Sequence, residues 1–103
     1  MMGEEIFGPV AVINPVRSLE EAIKKSNSTE LGLNAYAFTR SLSAAREISE
    51  GLQSGMVTIN SFAPAMTEVP FGGVKASGYG REGGELGIRE YLEAKSITTT
   101  YPG

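Results

Sequence analysis

The chain has 103 residues, 41% of them hydrophobic, with twelve glutamates against nine lysines and arginines and a formal net charge of −3. It contains no cysteine, histidine or aspartate, which excludes a disulfide framework, a thiolate zinc site and any nucleophilic triad built on an imidazole base. There is no basic stripe to meet nucleic acid and no apolar run near the roughly 18 residues of a membrane span.

The opening MMGEEIFGPV lacks the basic-then-apolar pattern of a secretory signal, so a cytoplasmic protein is expected, with neither nucleic acid nor membrane as partner. Val10-Ala11-Val12-Ile13 is a short apolar, β-branched run and predicts a buried strand. Ser18-Leu19-Glu20-Glu21 has the form of a capping box, in which the hydroxyl bonds a free N–H and the glutamate reaches back. A helix is predicted from there through about Ser26, with Leu19, Ala22 and Ile23 on one face. Ala35 to Thr39 predicts a second strand.

Leu42, Ala45, Ile48 and Leu52 recur at steps of three and four, which predicts a second helix from about Ser41 to Leu52. Gly51 and Gly55 both stand where a C-terminal cap is expected. Met56-Val57-Thr58-Ile59 predicts a third strand. Residues 10 to 60 therefore read as βαβαβ, an α/β arrangement that favours parallel pairing.

From Asn60 to Gly84 the chain is rich in Gly, Pro, Ala and Ser and shows no periodicity. Loops of this length in compact domains are uncommon and are usually functional or disordered. Within this stretch Gly78-Tyr79-Gly80-Arg81-Glu82-Gly83 satisfies G-x-G-x-x-G, but it follows loop rather than strand, so it reads as a glycine-rich turn and not as a dinucleotide fingerprint. Lys75 reads as a surface or loop-bracing lysine, with a functional amine as the alternative. A last helix fits Glu85 to Ala94, and Ser96 to Tyr101 has the β-propensity of a terminal strand in need of a neighbour. Asn27-Ser28-Thr29 matches a glycosylation sequon, a triplet common by chance.

Three segments together resemble the aldehyde dehydrogenase superfamily. They are Glu4-Glu5-Ile6-Phe7-Gly8-Pro9; then Leu33 to Thr39 with Gly55 to Asn60; then Pro70-Phe71-Gly72-Gly73-Val74-Lys75-Ala76-Ser77-Gly78-Tyr79-Gly80-Arg81-Glu82-Gly83. The resemblance implies the C-terminal part of a catalytic domain over residues 1–95, followed by an oligomerisation strand over 96–103. It implies oxidation of an aldehyde to an acid with NAD or NADP, by a cysteine and a glutamate that lie ahead of the first motif in the family. Carried over by motif position, Glu5 would bind the nicotinamide ribose, Phe7 would lie against the nicotinamide, and Phe71 would line the aldehyde pocket. No catalytic residue and no metal ligand is carried over.

The expected function is that of a fragment, inactive alone and binding no cofactor tightly. Its expected partner is another copy of itself or the missing N-terminal part of the enzyme. The alternative is a non-catalytic module that self-assembles through its C-terminal strand. The G-R-E-G-G and E-Y-L-E-x-K wording is similar to the succinate-semialdehyde branch. That branch often carries a serine in the loop before P-F-G-G, whereas Phe62 to Thr67 has none, so the substrate stays open.

Overall fold

A computed structural model describes residues 5–103; Glu4 of the opening motif lies outside them. In chain order it contains α1 (Leu19–Asn27), β1 (Asn34–Ala37), α2 (Leu42–Gly51), β2 (Met56–Ile59), a short 3-10 turn (Lys75–Ser77) and α3 (Gly84–Arg89). No described helix is long and apolar enough to cross a membrane.

The capping box closes as expected. Ser18 is extended, and its Oγ accepts the Glu21 N–H at 3.1 Å. The Glu21 carboxylate reaches back to the N–H of Arg17 at 2.9 Å, one residue before the cap, and pairs with Lys25 at 3.0 Å. The bond from the Arg17 N–H, and then Lys25, hold the Glu21 carboxyl below its ordinary value. A lowered folded-state pKa stabilises the fold above the unfolded-state value, and that stabilisation is lost as pH falls through the lower folded value. Helical signal is therefore expected to drop on acidification below about pH 4.3, and Glu21→Gln should remove that part of the titration. Circular dichroism against pH checks it; superimposable titrations of the two proteins would contradict it.

Ser41 caps α2 in the same way, accepting the Ala44 N–H at 3.2 Å. The strands β1 and β2 pair in parallel, with Asn34 opposite Met56 and Ala37 opposite Ile59, and α2 makes the crossover that parallel pairing requires. Asn60 ends the ladder in a left-handed conformation, φ 57°. Its side chain accepts the Thr39 N–H and donates to the Thr39 carbonyl, both at 2.8 Å, so the exit of β2 is tied to the exit of β1.

Around these elements the core is thin. Among the described residues only Ile48 and Met56 are buried apolar side chains, at 8% and 9% exposure. The radius of gyration is 19.1 Å, against about 13 Å for a compact domain of this length. The accessible surface is 8855 Å², roughly 3,000 Å² more than a folded monomer of this mass presents.

Two expectations are corrected, each for want of a partner surface. Val10 to Ile13 forms no strand, and Ile13 is 88% exposed. The expected βαβαβ sheet is therefore a two-stranded β1-β2 sheet within a smaller α/β unit. Ser96 to Tyr101, expected to pair with a second chain, is extended without a ladder in the single chain. A strand exists only with a ladder partner, and no described segment supplies one to either run. The last helix stops at Arg89 instead of running to Ala94. Ile88, Tyr91 and Leu92 all stand exposed, and short helices depend on packing that is missing here.

The segment between β2 and α3 is well organised although it has little regular structure. Phe71 and Glu82 form an antiparallel bridge, exchanging two backbone bonds of 2.8 Å. The Gly84 N–H reaches the Thr67 carbonyl at 2.9 Å. Gly78, Gly80, Gly83 and Gly84 all take positive φ, the region that glycine enters without steric cost. The G-x-G-x-x-G triplet is thus a chain of turns following a 3-10 turn, as the sequence context suggests.

Candidate functional site

Two open clefts lie side by side. The larger, of about 740 Å³, is lined by Glu5 and Phe7 from the opening motif and by Asn27, Thr29, Asn34, Tyr36, Gln53 and Ser77. The smaller, of about 320 Å³, holds Phe71 with Tyr79, Arg81 and Glu90. Leu33 and Ser77 line both. The fold therefore brings Glu5 and Phe7 together, and sets Phe71 behind a shared wall. Phe7 is 96% exposed, with the face of its ring open.

The wall is fixed by backbone bonds. Gly32 donates its N–H to Ser77 Oγ at 2.9 Å and accepts from the N–H groups of Gly55 and Val74, each at 2.9 Å. Arg81 braces the smaller cleft, donating through Nη1 to the carbonyls of Gly73 at 2.8 Å and Gly80 at 2.7 Å. This guanidinium sets the course of the chain on either side of the Phe71–Glu82 bridge.

Lys75 braces the loop, as its sequence context suggests, through bonds to the carbonyls of Asn27 and Thr29 at 3.0 and 3.1 Å. Asn27, met in the sequence only as part of a sequon, donates to the Gly51 carbonyl at 2.7 Å and accepts the Gln53 N–H at 2.8 Å. Asn34 carries the one buried, unpartnered side-chain polar atom among the described residues, its Nδ2; its Oδ1 accepts from Thr58 at 3.4 Å. A lone asparagine at the head of a β-prone run gives no signal of such a role.

An apolar and polar cleft of this size falls within the roughly 300–1,000 Å³ typical of small-molecule sites. A carboxylate accepts hydrogen bonds from adjacent hydroxyls, and an aromatic face packs against a flat heterocycle. Glu5 supplies such a carboxylate and Phe7 such a ring to the lining of the larger cleft. The arrangement contains no nucleophile with a base beside it. No group of three carboxylate, histidine or cysteine side chains could hold a metal ion among the described residues.

Together these elements make a small α/β unit, a parallel strand pair beside a turn-rich segment that walls two clefts. The sequence profile of the aldehyde dehydrogenase family matches residues 1–97, and the chain belongs to that family. It is 47% identical over 95 residues to aldehyde dehydrogenase 1A1 of Oryctolagus cuniculus, a match covering 92% of this chain and 19% of the relative. It is 48% identical over 94 residues to the mitochondrial succinate-semialdehyde dehydrogenase of Oryza sativa subsp. japonica, covering 91% of this chain and 18% of the relative. The crystal structure of betaine aldehyde dehydrogenase from Staphylococcus aureus in complex with NAD+ superposes with a TM-score of 0.85 at 39% identity, over 89% of this chain and 18% of that one. The chain thus spans about a fifth of the length of these relatives.

Proposed function

We propose that this chain is the C-terminal part of the catalytic domain of an NAD(P)-dependent aldehyde dehydrogenase and does not turn over alone. The observation that carries the reading is the placement of Glu5 and Phe7 in one cleft, sharing the Leu33–Ser77 wall with the cleft of Phe71. In the whole enzyme an aldehyde and water become a carboxylic acid while NAD(P) takes up hydride. The Glu5 carboxylate accepts the ribose hydroxyls and fixes the sugar. The Phe7 ring covers one face of the nicotinamide. Phe71 supplies apolar wall to the aldehyde and keeps water from its far side. The cysteine nucleophile and the glutamate base of the family belong to polypeptide outside these 103 residues. Residues 96–103 act as the oligomerisation strand, and the partners are a second copy or the rest of the catalytic domain. The aldehyde stays open, because Phe62 to Thr67 lacks the serine that the succinate-semialdehyde branch often carries.

A chimera tests the reading. The matching segment of the rabbit aldehyde dehydrogenase 1A1 is replaced by residues 5–97 of this chain, and aldehyde-dependent NAD reduction is followed. Activity is expected to persist. Glu5→Gln in the chimera should weaken NAD by about tenfold or more, the worth of a hydrogen bond to a charged acceptor. A chimera that assembles yet turns over nothing, or one indifferent to Glu5→Gln, would sink the proposal.

A further inference from the structure

We propose that Lys75 is a positioning residue, a lock that holds the glycine-rich segment onto the floor of the larger cleft. The inference stands on the geometry of the chain and is independent of what the cleft binds.

Lys75 and Asn60 are the two non-glycine residues with positive φ among the described residues, and Lys75 stands at 56°. A long side chain is uncommon in that region and persists where its surroundings over-determine it. For Asn60 the reason is its paired bonds to Thr39. For Lys75 it is the ammonium, which donates to the carbonyls of Asn27 and Thr29 at 3.0 and 3.1 Å. Asn27 is the last residue of α1. Its carbonyl has no partner within the helix, and a cation is favoured at that end.

The residues on either side of Lys75 are pinned as well. The Val74 N–H donates to the Gly32 carbonyl and the Ala76 N–H to the Glu30 carbonyl, each at 2.9 Å. From Asn27 the bonds continue through its amide to Gly51 and Gln53 at the end of α2. One ammonium therefore joins the loop, the end of α1 and the end of α2. Asn27, Thr29, Gly32, Gln53 and Ser77 are residues of this junction that line the cleft of Glu5 and Phe7. The lock sets this part of the cleft's lining, while Lys75 itself is not among the residues that line it.

The test is hydrogen–deuterium exchange on the full chain, resolved to single amides, for wild type, Lys75→Met, Lys75→Gly and Lys75→Arg. The glycine variant relieves the backbone conformation and removes the ammonium, so it separates the two contributions. Lys75→Met and Lys75→Gly are both expected to speed exchange at Val74, Ala76 and Gln53 by about tenfold, with the β1–β2 ladder little changed. Lys75→Arg should restore most of the protection, since its planar fork can serve two carbonyls. Unchanged exchange at those three amides overturns the proposal. So does a loss shared equally by the ladder, a glycine variant as protected as wild type, an arginine variant without rescue, or a wild-type chain unprotected at Val74 and Ala76.

Discussion

Gly55→Ala is expected to be the most damaging single substitution in the chain. A Cβ built on Gly55 would lie 1.9 Å from the Gly72 carbonyl oxygen, 2.8 Å from its carbon and 2.9 Å from Gly73 Cα. All three are backbone atoms, so no side-chain rotation relieves the overlap. The N–H of Gly55 donates to the Gly32 carbonyl, the same oxygen that holds Val74, and Met56 beside it opens β2. The added methyl therefore drives the strand pair away from the loop that carries Phe71. Overpacking against fixed backbone costs about 3 kcal/mol, which lowers the midpoint of thermal unfolding by roughly 10 °C or more. Gly8→Ala serves as the control, because nothing lies within 4 Å of a Cβ there. A Gly55→Ala midpoint equal to that of the control would contradict the packing described here.

Association is the second large effect expected. The rings of Tyr36 and Phe38 lean on Phe62 at centroid distances of 5.7 and 4.8 Å, and all three stand in solvent. Val10, Ile13, Ile88, Tyr91, Leu92, Ile97 and Tyr101 are exposed too. The surplus of roughly 3,000 Å² over a folded monomer matches what obligate interfaces bury. Exposed apolar side chains in this number, beside two β-prone runs with no ladder, favour assembly. Sedimentation of the purified chain should therefore show dimers or larger species. Thr99→Pro, which removes a donor from the middle of the terminal run, should shift the distribution towards smaller ones. A compact, well-folded monomer at all concentrations would contradict the expectation.

The elements legible in the sequence are those whose information is local. Ser18 and Ser41 mark the starts of α1 and α2 because a capping hydroxyl acts within three residues. Met56 to Ile59 forms its strand because the partner β1 lies within the same chain. Val10 to Ile13 and Ser96 to Tyr101 carry the same β-prone composition and form no strand, since composition alone supplies no neighbour. The Leu92 end of the last helix fails for want of a packing surface. The motif positions Glu5, Phe7 and Phe71 lead to the two clefts, and the structure sets them on either side of Leu33 and Ser77. Asn27 was not legible as a junction residue. Its bonds to Gly51 and Gln53 span 24 and 26 positions, beyond the reach of any local pattern. Lys75 is legible only as a surface or bracing lysine, because its partners at and just past the end of α1 lie 46 and 48 positions away.

The central claim is that these 103 residues supply one side of a cofactor and aldehyde site and not its nucleophile. The most direct measurement is aldehyde-dependent formation of NADH or NADPH by the purified chain alone, over a panel of aldehydes that includes succinate semialdehyde. No turnover above the buffer rate is expected. Turnover that follows the polypeptide through repurification would contradict it.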